Sequence, residues 1–204
     1  MTVTNHTALY RLTFPSNSTT APNQTVLPYS PLILFDLTDL PESRINGSIA
    51  VDGGTGRITG NGTFNPSFGL GTYDLHFCAD FSGASIRDTG VFMNNRAGSQ
   101  SKTLSIRPNG NSPPIPAGAW AQFEAPANDQ ILVRVGISFI SSEQACNNAE
   151  SEIPNFDFNK TLTAAEDVWR EKLSVIQVDA GGVSDELQTV FWSGGEFVFS
   201  GGIS

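Results

Sequence analysis

Asp74, His76, Cys78 and Asp80 alternate with Tyr73, Leu75, Phe77, Ala79 and Phe81. A strand sends successive side chains to opposite faces, so these four polar groups share one face. Carboxylate, imidazole and thiolate together are a metal-ligand set. Their spacing argues against that chemistry. Residues two apart on a strand lie about 6.5–7 Å apart, so one strand does not close a coordination shell without help from a neighbour. The four read instead as the polar outer face of a strand whose aromatic face looks into a core, with Cys78 pairing elsewhere. Cys146 is the other cysteine of the chain, and the even count suits one disulfide or two buried free thiols.

Three further sets carry potential chemistry. Asp36, Asp39, Glu42 and Arg44 lie close together and read as a solvated turn with a local ion pair. Trp120 could stack on a sugar ring, but an isolated tryptophan beside Phe123 reads as a core anchor. Asn5, Asn17, Asn23, Asn46, Asn61 and Asn159 each open an Asn-x-Ser/Thr sequon, and this density leans toward a secreted glycoprotein.

The elements that must position these residues change character once. Up to Ile140 the chain reads as β-structure, and beyond Ser141 as helix. Ala8–Phe14 alternates; Leu32–Leu37 is short and apolar; Ser48–Val51 and Arg57–Phe64 flank an Asp-Gly-Gly-Thr-Gly loop that supplies positive-φ residues. Tyr73–Phe81, Gly90–Asn94, Ser101–Arg107, Ala119–Phe123 and Ile131–Ile140 follow. Pro15–Pro31 and Pro108–Pro116 read as surface loops, and Asn95–Gly98 as a turn. Eight or nine strands at this spacing predict an antiparallel β-sandwich. Ile131–Ile140 is rich in β-branched residues and reads as a strand buried on both faces.

Ser141 with Gln144 is a capping-box pattern. It opens a helix over Ser142–Glu152 that Pro154 stops. Asp157 or Asn159 caps a second helix to about Ile176, its stripe formed by Leu162, Ala165, Val168, Trp169, Leu173 and Ile176. Ala180-Gly181-Gly182 breaks it. A third helix starts over Asp185–Trp192, and Gly194–Ser204 shows no amphipathic pattern. The expected organisation is a β-sandwich over 1–141, a helical linker over 142–179 and, over 180–204, the truncated start of a further helical domain with a divergent tail, which the resemblance given below makes an (α/α)6 catalytic domain.

Charge is unevenly placed. Residues 1–123 hold seven acids and seven bases, whereas 124–204 hold thirteen acids and four bases, which accounts for the whole net charge of −9. An acidic chain without a basic patch argues against nucleic acid and anionic membrane as partners. No apolar run reaches the roughly 18–20 residues of a membrane span. The first residues, Met-Thr-Val-Thr-Asn-His-Thr, show no signal-peptide pattern. Gly and Pro are plentiful, 20 and 12 residues, as a turn-rich sandwich requires.

The segment Val135–Pro154 (VGISFISSEQACNNAESEIP) resembles a recurrent segment of glycoside hydrolase family 92. So do Phe156-Asp157-Phe158, the Ala-Ala-Glu-Asp-Val-Trp stretch ending at Trp169 and Leu187–Trp192. Ala8–Phe14, Gly56-Arg57-Ile58 and His76–Phe81 are similar to fungal members. The resemblance spans about residues 5–193. It implies a sandwich of the galactose-mutarotase-like, supersandwich type, joined by helices to an (α/α)6 barrel. It further implies a calcium-dependent, inverting exo-α-mannosidase, secreted, acting on α-mannosides such as N-glycans. In an inverting enzyme an acid and a base carboxyl stand about 6.5–9.5 Å apart to admit water. The resemblance places the acid, the base and the calcium ligands in the barrel, so no catalytic, cofactor or metal residue of this chain is assigned. It also implies a disulfide between Cys78 and Cys146 that ties sheet to helix, contributing roughly 4 kcal/mol in the chain-entropy model. The expected function is a fragment of such an α-mannosidase that is inactive alone. The alternatives are a non-catalytic carbohydrate-binding sandwich and a generic interaction sandwich.

Overall fold

A computed structural model describes residues 1–14, 29–37, 43–94, 96–107, 115–175 and 181–200, the last six of these as backbone. Eleven strands and three helices lie among them. The strands are β1 (Thr2–Val3), β2 (Thr7–Thr13), β3 (Leu32–Asp36), β4 (Arg44–Val51), β5 (Ile58–Phe64) and β6 (Tyr73–Ser82). They continue as β7 (Ile86–Met93), β8 (Arg96–Gly98), β9 (Thr103–Ile106), β10 (Ala117–Phe123) and β11 (Gln130–Ser138). The helices are α1 (Ser142–Glu152), α2 (Phe158–Leu173) and α3 (Asp185–Ser200).

The strands form two antiparallel sheets. Seven run in the order β1-β2-β11-β6-β5-β4-β9, and four in the order β3-β10-β7-β8. Their facing sides share the core. Leu37 and Phe35 of one layer pack with Ile49, Ile58, Ala79 and Phe77 of the other. Ile33, Ala121 and Phe123 pack with Ile131 and Val133. Phe81 is central: its ring meets Phe35 edge-on at 6.0 Å and Phe123 at 5.1 Å. Edge-to-face pairs of this kind suit the ring quadrupole and add stabilisation beyond area burial. The aromatic set of β6 thus faces inward, as its alternation requires.

The last strand differs from its sequence reading. β11 ends at Ser138, and Phe139 and Ile140 are 71% and 79% exposed. An apolar run does not by itself mark where pairing stops; here β6 begins at Tyr73 and the register with β11 closes at Ser138 opposite His76. Arg134, in the middle of this apolar strand, is buried.

α1 lies on the outer face of the seven-stranded sheet. Ser141 is its N-cap, and the Ser141 hydroxyl accepts the Gln144 N–H at 3.0 Å. The Gln144 side chain donates to Asn148 instead of reaching back, so only half of the expected box forms. Gly136 lets the helix come close: a Cβ there would collide with the Ala145 carbonyl oxygen and the Ala149 methyl. Ala145 and Ala149 are fully buried at this contact. In α2, the Asp157 carboxylate accepts the Lys160 N–H at 3.0 Å, which makes Asp157 the cap. Arg170 pairs with Glu166 and Asp167 on the exposed side.

The chain divides into two compact bodies, Met1–Leu162 and Thr163–Ser204. In the second, α3 runs through Gly194 to Ser200, past the point where its apolar pattern lapses. Helical hydrogen bonds need no amphipathic stripe, and the turns from Asp185 onward supply a nucleus that the later residues extend.

Candidate functional site

The richest polar constellation is the joint between sheet and α1. Asp80 sits at its centre. Both its oxygens bind arginine: Arg57 Nε and Nη2 donate at 2.6 and 3.2 Å, and Arg134 Nη2 at 2.6 Å. Arg57 also donates to Glu150 of α1 at 2.6 Å. Arg134 donates to the Ile153 carbonyl at 2.6 Å, and its guanidinium lies 4.6 Å from the Phe156 ring centroid. Strands β6 and β11, the residue that leads into β5 and the end of α1 therefore meet through one carboxylate. Bonds from Asp80 and then Glu150 push the Arg57 guanidinium further up from its ordinary value, against the pull of burial.

Beside this joint, Cys78 of β6 and Cys146 of α1 form a disulfide with Cα atoms 5.0 Å apart, closing a sequence separation of 68. His76 completes the row, its Nδ1 3.4 Å from Ser142 Oγ, while Ser142 donates to the Gly60 carbonyl. Asp74 accepts from Thr63 at 2.5 Å. The four polar groups of β6 thus go to separate partners: Asp74 to Thr63, His76 to Ser142, Cys78 to Cys146, and Asp80 to Arg57 and Arg134. They share a face and no common centre.

A second clasp holds the same C-terminal end of α1 to the first residues of the chain. Glu152 accepts Thr4 Oγ1 at 2.5 Å, the His6 N–H at 2.9 Å, and pairs with His6 Nδ1 at 2.7 Å. Burial alone would raise the Glu152 carboxyl. The bonds from Thr4 and His6 together outweigh it, and the group lies below the ordinary glutamate range. In the Asp52-Gly-Gly-Thr-Gly hairpin loop, Asp52 accepts from the Thr55 N–H, the Thr55 hydroxyl and the Gly54 N–H, which lowers its carboxyl too.

Arg44 corrects the solvated-turn reading: it is 3% exposed and donates to the Ile115 carbonyl. Burial lowers its guanidinium while Asp36 opposes that shift. The cause is register, because Arg44 opens β4 opposite Phe64 beneath the Ile115 segment. Asp39 and Glu42 lie outside the described residues, as do Asn17, Asn23, most of the Pro15–Pro31 and Pro108–Pro116 loops, and Ile176. Trp120 is 9% exposed, on the outer side of β10 between Leu34 and Gly90. Asn5 and Asn159 are exposed. Asn46 and Asn61 stand mid-strand, where each sequon's hydroxyl meets the other's amide: Ser48 donates to Asn61 at 2.9 Å, and the Thr63 hydroxyl, donated to Asp74, lies 3.2 Å from the Asn46 amide oxygen.

A cavity of about 390 Å³ opens between the sheets beside β3, lined by Phe35 and Leu37 on one side and Phe64, Tyr73, Leu75 and Phe77 on the other. Sequence reasoning did not find it, since it depends on which strands of the two sheets face each other. Among the described residues, no group of three or more His, Cys, Asp or Glu side chains is gathered to hold a metal ion. No described helix is long and apolar enough to cross a membrane.

An antiparallel sandwich clasped to a helix on its outer face is the class this geometry defines. The glycosyl hydrolase family 92 N-terminal domain model matches residues 1–138, and the family's catalytic-domain model matches residues 144–195. The chain belongs to glycosyl hydrolase family 92. An uncharacterized secreted glycosidase of Arthroderma benhamiae is 49% identical over 197 residues, covering 95% of this chain and 25% of that protein. A solved family 92 glycosyl hydrolase superposes with a TM-score of 0.65 at 20% identity, over 87% of this chain and 20% of that one. A family 92 inverting mannosidase of Bacteroides thetaiotaomicron gives 0.62 at 16% identity, over 85% and 20%. The chain therefore spans about a quarter of its fungal relative and a fifth of the solved proteins.

Proposed function

We propose that these residues are the sandwich and linker of a secreted α-mannoside hydrolase, with a sandwich over 1–141, a helical linker over 142–179 and the start of a helical catalytic domain over 180–204. The observation that carries this reading is the pairing of both family models on one short chain, sandwich first and catalytic domain second. The fungal relative, a secreted glycosidase by name, supports secretion. The bacterial neighbour, an inverting mannosidase, supports inverting cleavage of mannosides. N-glycans are the proposed source of those mannosides, as the family resemblance implies, and the six sequons are in keeping with secretion.

The role of this part in that reaction is positional. α1 is held to the sheet by a disulfide, by Arg57 and Arg134 at its end and by its cap. Catalytic groups placed within a fraction of an ångström gain much of their rate from such positioning.

Calcium is the family's implied cofactor, and the described residues do not fit it. A calcium shell takes about six to eight oxygens. Asp80 is committed to two arginines, Glu150 to Arg57, Glu152 to Thr4 and His6, and Asp52 to its own loop. The same commitments leave these four carboxylates unsuited to act as acid or base, and the 204-residue chain is proposed to be inactive alone because the family resemblance places the acid and the base in the barrel. The purified chain, supplied with calcium and a chromogenic aryl α-mannoside, is expected to release no chromophore. Turnover that survives a second, independent purification overturns this reading.

A further inference from the structure

Four of the six Asn-x-Ser/Thr sequons lie wholly among the described residues, and the fold treats them in two ways. Asn5 and Asn159 stand on turns. The Thr4 N–H donates to the Thr7 carbonyl, which leaves Asn5 and His6 as the connection between β1 and β2. Glu152 takes the His6 ring. Asn159 is in the first turn of α2, just past the Asp157 cap. Both asparagines are exposed, and neither side-chain amide is bonded to a described residue.

Asn46 and Asn61 are placed differently. Their two sequons pair with each other, with Asn46 opposite Thr63, Gly47 opposite Gly62 and Ser48 opposite Asn61. Neither strand is at an edge, since β4 lies between β5 and β9, and β5 between β4 and β6. Both asparagines are half-buried. The Ser48 hydroxyl is given to the Asn61 amide oxygen, and the Thr63 hydroxyl, bound to Asp74, lies against Asn46. The start of α1 closes over the same face. Ser142 donates to the Gly60 carbonyl and stands 3.4 Å from His76, the residue opposite Asn61 on β6.

The chemistry of N-glycosylation makes this difference count. A lipid-pyrophosphate-linked oligosaccharide passes its anomeric carbon to the asparagine Nδ2. The C–O bond to the pyrophosphate breaks and the pyrophosphate leaves with the electron pair, while a C–N bond forms and Nδ2 loses one proton. The sequon must bend so that its own hydroxyl comes back to its own amide. In a strand, residues i and i+2 stand about 6.5–7 Å apart and point the same way. Here each hydroxyl is turned to the other sequon instead. Residues 52–57 join the two strands, so the pair is local. A hairpin closes in about 1–10 μs, whereas a chain grows by about 5–20 residues per second. The two sequons therefore meet many times before the rest of the sheet is made. A sugar fixed to either half-buried amide would also crowd the strand beside it.

We propose that the chain carries N-linked oligosaccharide at Asn5 and Asn159 and none at Asn46 and Asn61, because the last two sequons are sealed against each other in the β4–β5 pair. This rests on the secretion in the reading above and is independent of mannoside cleavage.

The test sends the 204-residue chain into the secretory pathway of a fungal host behind that host's own leader, so that the result does not depend on how the natural protein is exported. Where the host exports none, the retained chain is mapped instead. An endoglycosidase that leaves one N-acetylglucosamine on each occupied asparagine supplies a tag, and the tagged peptides are mapped by mass spectrometry. The tag matters at Asn46 and Asn61, because each precedes a glycine and an Asn-Gly sequence deamidates readily, which would mimic enzymatic removal of a glycan. The tag is expected on Asn5 and Asn159 and absent from Asn46 and Asn61. Asn5→Gln and Asn159→Gln should each remove one glycan from the electrophoretic ladder, and Asn46→Gln and Asn61→Gln should leave the ladder unchanged. Ile49→Pro breaks β4 opposite Gly60 and should bring the tag onto Asn46 and Asn61 in retained chains. A tag on Asn46 or Asn61 of the unaltered chain overturns the proposal, as does a bare Asn5 or Asn159. If the proline variant leaves Asn46 and Asn61 bare, local sequence rather than strand pairing excludes them, and the proposal falls as well.

Discussion

α1 and α3 are both short helices in an acidic half of the chain, and they are held in opposite ways. α1 is satisfied on every side: its cap by Ser141, its body by Gly136 and the Cys78 disulfide, its end by Arg57, Arg134 and Thr4. α3 keeps Leu187, Val190 and Phe191 exposed at 62%, 68% and 48%, and its aromatic pair, Phe191 and Trp192, packs on itself. The difference lies in what each helix buries. α1 buries alanines under a glycine, and directional bonds fix it. α3 carries larger apolar side chains and little to bury them against within its own body. Apolar content alone does not place a helix; complementary surface does.

The contrast is tested most severely at the disulfide. Cys78→Ser with Cys146→Ser should cost roughly 4 kcal/mol, because the closed loop is long. Chemical denaturation under non-reducing conditions measures it. A loss below about 1 kcal/mol would mean that the charged joint holds α1 by itself. Next in size is Asp80→Ala, which leaves Arg134 buried at 7% side-chain exposure without its counter-charge. The expected cost is about 3 kcal/mol, the lower end for breaking a buried pair, since the Ile153 carbonyl and the Phe156 ring remain. Asp80→Leu, with similar volume and no charge, should do no better, as both arginines stay behind.

The clasp at Glu152 probes the same helix through pH. Its folded carboxyl lies below the ordinary range, so it stabilises the fold above that range and the contribution fades as pH falls through the folded value. Glu152→Gln should therefore flatten the acid side of a stability–pH curve and leave the neutral-to-basic slope alone. An unchanged acid limb would remove Glu152 from the account. The smallest effect is expected in α3. Val190→Lys should change stability by no more than about 0.5 kcal/mol, as for other exposed positions, read from the thermal midpoint. A loss above about 1 kcal/mol would show that α3 has a covered face after all.

Several features were legible before any coordinates. The alternation over Tyr73–Phe81 predicted which face enters the core, and Phe77, Ala79 and Phe81 pack there. Helix α1 starts and stops at the cap and the proline that mark it. Other features were hidden for physical reasons. Arg134 sits in an apolar run and reads as an ordinary strand charge, yet its partner Asp80 is 54 residues away. The sequence-local acids around Arg44 suggested a solvated turn, while the strand pairing buried it. The cavity beside β3 has no sequence signal, because it depends on which strands of the two sheets face each other.

Local periodicity, capping residues and turn chemistry act over a few residues, so the chain alone determined where strands alternate with turns and where β gives way to helix. Its ordered segments also carried the family. Which carboxylate two distant arginines share, which arginine goes inside, and which strand is left at an edge were decided only when the two sheets closed. Those outcomes depend on pairing between residues tens of positions apart, where the energy of a contact exists only once the whole register has formed.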